Sequence, residues 1–101
     1  MKPQPAKYTR ERPVRKVELW NCFYGRRGFK SVQVDAAKAI IGANAPRYLL
    51  RKEYIEEIDT GEVLSYNLTE VGKRWLTDGM VRYLRNHPLD RVKLNYFPNT
   101  L

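Results

Sequence analysis

The chain holds one cysteine and one histidine in 101 residues. Cys22 therefore cannot close an internal disulfide. With no second thiol and no histidine partner, it lacks both the donor set of a zinc site and the base of a thiol nucleophile. It lies in an apolar stretch and reads as a buried thiol of a reducing cytoplasm. His87 stands alone before Pro88 and suits the polar end of a helix. No apolar run approaches the roughly 20 residues that a membrane-crossing helix needs. The opening "MKPQPAKYTRERPVRK" lacks the apolar centre of a secretory signal. No glycine-rich loop that would cradle phosphate is present. Glu56 and Glu57 are neighbours in a predicted strand, so they point to opposite faces and cannot act as an acid–base pair. These absences argue against an enzyme, a metal site or a bound cofactor.

What the chain has in excess is positive charge. Nineteen Lys and Arg stand against eleven Asp and Glu, a net +8. Such a balance favours a polyanionic partner, nucleic acid first. The bases are grouped: Lys2, Lys7, Arg10, Arg12, Arg15, Lys16, Arg26, Arg27 and Lys30 open the chain, and Arg47, Arg51 and Lys52 follow. From Glu53 to Glu70 the sign reverses, with six acids and no base. Any nucleic-acid face should avoid that segment.

Residues 1–13 read as a flexible basic tail, residues 14–87 as one folded domain, and 88–101 as a C-terminal extension. A first helix is predicted to start at Pro13 and carry Val14, Val17, Leu19, Trp20, Phe23 and Tyr24 at helical spacing, with Gly25 closing it. Ser31 can cap a second helix whose apolar side is Val34, Ala36, Ala37, Ile40 and Ile41. "IIGANAP" breaks it: Gly42 can take a positive φ, Asn44 can cap, and Pro46 suits the first turn of a third helix over about 45–52. Tyr48, Leu49 and Leu50 supply that helix's apolar side. Two β-rich runs, 54–58 and 63–68, flank Asp59-Thr60-Gly61-Glu62, a hairpin turn with glycine in the left-handed position. Thr69 caps a fourth helix with Val71, Trp75 and Leu76 facing inward; Thr77-Asp78-Gly79 interrupts it, and His87-Pro88 ends the continuation from Met80. Beyond Pro88, the alternation Val92, Leu94, Tyr96 fits a terminal strand or a packed extended tail.

The segments "AAKAIIGANAPRYLLRKEYIEEI" and "VLSYNLTEVGKRWL" carry a resemblance. A small-residue helix, a glycine-containing turn, a further helix and a strand ending in Tyr66, Leu68, Thr69 and Gly72 resemble the winged helix-turn-helix superfamily of small bacterial, archaeal and phage regulators. The resemblance covers about residues 14–78. It implies an α+β fold, mostly α, with a two-stranded wing and an additional C-terminal helix. Within it Leu68 would end the strand in the core, Thr69 would cap the helix, and Gly72 would let the helix backbone press against the rest of the domain. Two departures stand out: Glu53 replaces the usual glycine after the third helix, and the wing carries Glu56, Glu57, Asp59 and Glu62 where a DNA-gripping wing carries bases.

The resemblance implies a regulator of transcription that binds double-stranded DNA, with the third helix in the major groove. Asn44, Arg47, Arg51 and Lys52 are then the binding residues, and Arg47 leads because arginine reads guanine bidentately. Arg26, Arg27 and Lys30 would meet phosphates. The basic tail with Lys7, Arg10 and Arg12 fits a minor-groove arm or a plain tail. The acidic wing should stay off the DNA or contact a protein. Met80, Tyr83 and Leu84 form an apolar patch, available to a homodimer through the C-terminal helix or to the chain's own tail. RNA or ribosome association is the remaining alternative.

Overall fold

The computed structural model describes residues 15–98. Val14 and the N-terminal tail with Lys7, Arg10 and Arg12 lie outside the described residues. Helix α1 spans Lys16–Phe23 and buries Leu19, Trp20, Cys22 and Phe23. Gly25 does not close it. The helix stops at Phe23 because Tyr24–Gly25 (β1) turns back on Gly28–Phe29 (β2) as a small antiparallel hairpin. Gly28, at φ 104°, takes the left-handed conformation instead. The cause is aromatic: Tyr24 stacks on Trp20 at 4.5 Å between centroids, and Phe29 meets the same indole edge-on at 5.8 Å.

Strand β3 (Val32–Gln33) leads into α2 (Val34–Ile41). Ser31 does not cap α2. Its hydroxyl donates across the sheet to Asn67 Oδ1 at 3.2 Å, and Gln33 stands at the helix start without a side-chain cap. On α2 only Ala37 is fully buried, and Ile40 is 46% exposed. Gly42, at φ 95°, ends the helix as expected. Helix α3 (Ala45–Arg51) follows with Pro46 in its first turn; Asn44 occupies the cap position but makes no side-chain cap bond.

Helix α3 ends in a Schellman turn. Tyr54 N donates to Leu49 O (2.9 Å) and Glu53 N to Leu50 O (3.0 Å). Glu53 takes the left-handed position at φ 63°, the one such non-glycine residue described. Glutamate thus occupies the conformation that glycine adopts without cost.

Strands β4 (Ile55–Asp59) and β5 (Leu64–Leu68) form the hairpin, and β3 joins β5 on the other side to give the order β3-β5-β4. Ile55 pairs with Leu68, Glu57 with Tyr66 and Val32 with Tyr66, which puts Ile55, Leu68 and Tyr66 on the core face. At the turn Gly61 has φ 93°, and its N–H donates to Asp59 Oδ1 at 2.8 Å.

Helix α4 runs unbroken over Glu70–Asn86. Thr77-Asp78-Gly79 does not interrupt it: Gly79 is buried, and Lys16 lies where its Cβ would project. Thr69 caps the helix, its Oγ1 accepting from Gly72 N–H at 2.9 Å while donating to Glu53 O at 2.7 Å. Gly72 sits against the Tyr54 backbone, so closely that a Cβ would lie 2.7 Å from its carbonyl carbon. Leu76 faces inward and Trp75 is half-buried, but Val71 is 57% exposed. Thr69 and Gly72 bring the helix backbone itself onto the strand, so Val71 falls on the outer side.

A short 3-10 helix, Pro88–Lys93, follows, and the chain to residue 98 packs back on α1 without forming a strand. Trp20 Nε1 donates to Tyr96 O (2.7 Å), Asn21 Nδ2 to Lys93 O (3.0 Å), and Asn95 N to Asn21 Oδ1 (2.9 Å). Of the two occupants expected for the apolar patch, a second copy or the chain's own tail, the chain itself covers much of it. Met80 is fully buried, Leu84 is 9% exposed, and Tyr83 donates its hydroxyl to Asp90 of the 3-10 helix. The whole is an α+β fold, a helical majority with two small antiparallel sheets. Among the described residues no helix is long and apolar enough to cross a membrane.

Candidate nucleic-acid interface

Helix α3 is seven residues long and sits on Pro46 and Leu49, which are buried and packed towards α2 and β4. The remaining side is polar. Arg47, Tyr48, Arg51 and Lys52 are all exposed, and Asn44 is exposed just before the helix. Arg47 and Arg51 share a face at i, i+4. Tyr48 does not join Leu49 on the apolar side. It is 36% exposed, with the Arg51 guanidinium 5.7 Å and the Lys52 ammonium 5.9 Å from its ring centroid. Both distances suit cation–π attraction. Tyr48 is the residue that sequence reading by polarity missed. The spacing Tyr48, Arg51, Lys52, with bases three and four residues on, was the available signal.

Among the described residues no carboxylate forms an ion pair with this surface. The ion pairs among the described residues are Arg15–Glu18, Lys73–Glu70 and Lys93–Asp90, and none involves α3 or the β1–β2 hairpin. Arg26 and Arg27 are exposed at the tip of that hairpin. Lys30 is exposed too; its backbone N–H donates to Phe23 O at 2.9 Å while its side chain runs beside Gly25. The hairpin rests on α1, whereas α3 rests on α2 and β4. The expected bases thus form two groups on separate supports.

The β4–β5 hairpin is the electrostatic opposite. Glu56, Glu57, Asp59 and Glu62 are exposed. On one sheet face Ser31, Asn67 and Glu56 form a hydrogen-bonded row, with Asn67 Nδ2 donating to Glu56 Oε2 at 3.4 Å. On the other face Tyr66 lies opposite Glu57. Burial first, and the Glu57 charge second, push the Tyr66 phenol above its ordinary range.

Two further groups bear on chemistry. Burial pushes the Cys22 thiol up to about 11, against an opposing pull from Lys30, so it is protonated and unreactive near neutrality. Lys16 is half-buried with its ammonium 4.1 Å above the Trp75 ring, which itself stacks on Tyr54. Burial, then the Arg82 charge, lowers the Lys16 pKa. Among the described residues no cluster of His, Cys, Asp and Glu could hold a metal ion. Comparison with protein-family models, with curated proteins and with solved structures gives no match.

Proposed function

We propose that this chain is a winged helix-turn-helix protein of the cytoplasm that binds double-stranded DNA through α3 and regulates transcription. The observation that carries the reading is the exposed face Arg47, Tyr48, Arg51 and Lys52, without a carboxylate partner among the described residues, on a helix anchored from behind by Pro46 and Leu49. The three-stranded sheet β3-β5-β4, with α2 and α3 between β3 and β4, supports the family reading. Arg47 and Arg51 suit guanine edges, and Lys52 with Arg26, Arg27 and Lys30 suits phosphates. The acids of the wing repel phosphate, so recognition rests on α3 alone rather than on a helix and wing together.

Selection of binding sites from random duplex DNA, run beside Arg47→Ala/Arg51→Ala protein, tests this. An enriched motif lost in the variant supports it. Motif-free binding that fades steeply with salt reduces the surface to a general polyanion contact and overturns the regulator reading. The exposed acids of the wing favour one second reading, a protein contact. There, Glu57→Lys/Asp59→Lys/Glu62→Lys would abolish function while DNA binding persists.

A further inference from the structure

The β1–β2 hairpin is a short ribbon with arginines at its tip. Tyr24 pairs with Phe29 and Gly25 with Gly28, so Arg26 and Arg27 alone make the turn. Neither has a positive φ, which excludes the primed turns that most two-residue loops use. Gly28, at φ 104°, supplies the left-handed residue instead. A Cβ there would meet no atom within 4 Å, so conformation and not crowding calls for glycine. The last pair of the stem thus carries no side chain. The tip presents two exposed guanidinium groups on bare backbone.

The stem is fixed at its base. Tyr24 stacks on Trp20, Phe29 meets Tyr24 edge-on at 5.0 Å and 88°, and Trp20 is fully buried. The Lys30 N–H closes the base on Phe23 O at 2.9 Å. Charges kept only for solubility need no such mount. From Leu19 to Val34 the sequence holds no Asp or Glu, and no ion pair among the described residues includes Arg26 or Arg27.

We propose that this hairpin places Arg26 and Arg27 in a narrow, A·T-rich minor groove; the proposal rests on the duplex-DNA reading above and gives these arginines a groove as well as phosphates. Strands of a ribbon lie about 4.8 Å apart, so with its van der Waals width the backbone cannot enter a groove about 6 Å wide. Arginine side chains can, and the bare glycine pair lets the tip come close to the phosphates on either rim. A·T tracts narrow that groove and concentrate negative potential in it. Guanidinium is more weakly hydrated than ammonium, so it enters at a lower desolvation cost than lysine. G·C pairs set the guanine N2 amino group, itself a donor, in the same groove. Base reading in the major groove stays with α3, while the hairpin senses groove width.

Fluorescence anisotropy of the full chain on three duplexes of equal length tests it. One carries an A·T tract, one carries G·C in its place, and one carries inosine for each guanine of that G·C. Inosine lacks the N2 amino group but keeps the major-groove edge of guanine, so it separates the two grooves. The parent should bind the A·T and inosine duplexes about tenfold more tightly than the G·C duplex. Arg26→Lys/Arg27→Lys, which keeps the charge, should bring the three affinities together. Arg47→Ala/Arg51→Ala should weaken all three and preserve the ratio. Equal affinities in the parent overturn the hairpin proposal and leave the α3 reading standing. A ratio untouched by the lysine exchange overturns it as well, since the preference then lies elsewhere in the chain. A ratio lost only in the α3 variant assigns the preference to α3 and overturns it too. No binding to any of the three duplexes overturns the DNA reading and the hairpin proposal with it.

Discussion

Replacing Gly72 by alanine should destabilise the fold even though alanine is the better helix former. The propensity gain is about 1 kcal/mol. Against it, the added Cβ would lie 2.7 Å from the Tyr54 carbonyl carbon, 3.0 Å from its Cα, and closest of all to its carbonyl oxygen. Non-bonded carbons rest at about 3.5–4.0 Å, so helix and strand must part by about an ångström. Neither partner is a flexible tip; both are backbone. The movement pulls on Thr69 N–Tyr54 O (3.0 Å) and Thr69 Oγ1–Glu53 O (2.7 Å), the bonds that seat the helix cap. Overpacking costs about 1–3 kcal/mol and a weakened cap about 1 more, which against the propensity gain leaves a net loss of about 1–3 kcal/mol. For a chain of this size that is a fall in Tm of roughly 5–20 °C, readable by circular dichroism. Gly79→Ala is the internal control. Its nearest neighbour is the end of the Lys16 side chain, Nζ at 2.9 Å and Cε at 3.3 Å, which can move aside. That variant should stay within about 0.5 kcal/mol of the parent or exceed it. A Gly72→Ala protein as stable as Gly79→Ala would refute the reasoning.

Glu53→Gly should raise stability by about 0.5–1 kcal/mol in urea denaturation, because relief of the left-handed strain outweighs the extra freedom of the unfolded chain. Tyr83→Phe removes the hydroxyl that Asp90 accepts, and the effect should depend on pH. The Asp90 carboxyl is held below its usual range by Tyr83 first and Lys93 next, so its contribution is present above the unfolded carboxylate pKa and lost as pH falls through the folded one. The Tyr83 phenol is raised, chiefly by the same bond, so its contribution is present below the unfolded tyrosine pKa and lost as pH rises through the folded one. Urea midpoints of parent and variant should therefore converge at both extremes and differ between them; a constant gap would refute the assignment. On duplex DNA, Arg51→Ala should reduce the slope of log affinity against log salt by about 1, whereas Tyr48→Phe should leave it unchanged and Tyr48→Ala should weaken binding without altering it. Fluorescence anisotropy across a salt series separates the two.

The parts of the fold legible from sequence are those in which local backbone chemistry admits one answer. Gly42 and Gly61 take the positive φ read from their turns, Thr69 caps α4, and Gly72 meets another backbone. Where two residues compete, distant partners decide. Gly25 has the chemistry to end α1, but the helix already stops at Phe23, where Tyr24 and Phe29 stack on Trp20, and it is Gly28 in the hairpin that takes the positive φ. Ser31 has the chemistry of a cap, but Asn67, 36 residues away, claims its hydroxyl. At the candidate site the bases of α3 were visible as charges. Tyr48 was not, because residue type says core whereas Arg51 and Lys52 hold its ring at the surface. Glu53 illustrates the reverse, a left-handed helix end that the residue type at that position does not announce.

The bond from Trp20 to Tyr96 spans 76 positions. At about 5–20 residues per second, a ribosome delivers Tyr96 roughly 4–15 s after Trp20. During that interval the indole N–H has no carbonyl to meet, and Asn21 lacks both its bonds to the segment 93–95. The first of the described helices is thus among the last to be locked. Nascent chains should hold the α2–α3 unit and the β4–β5 hairpin before α1 settles, with the far segment acting as the latch.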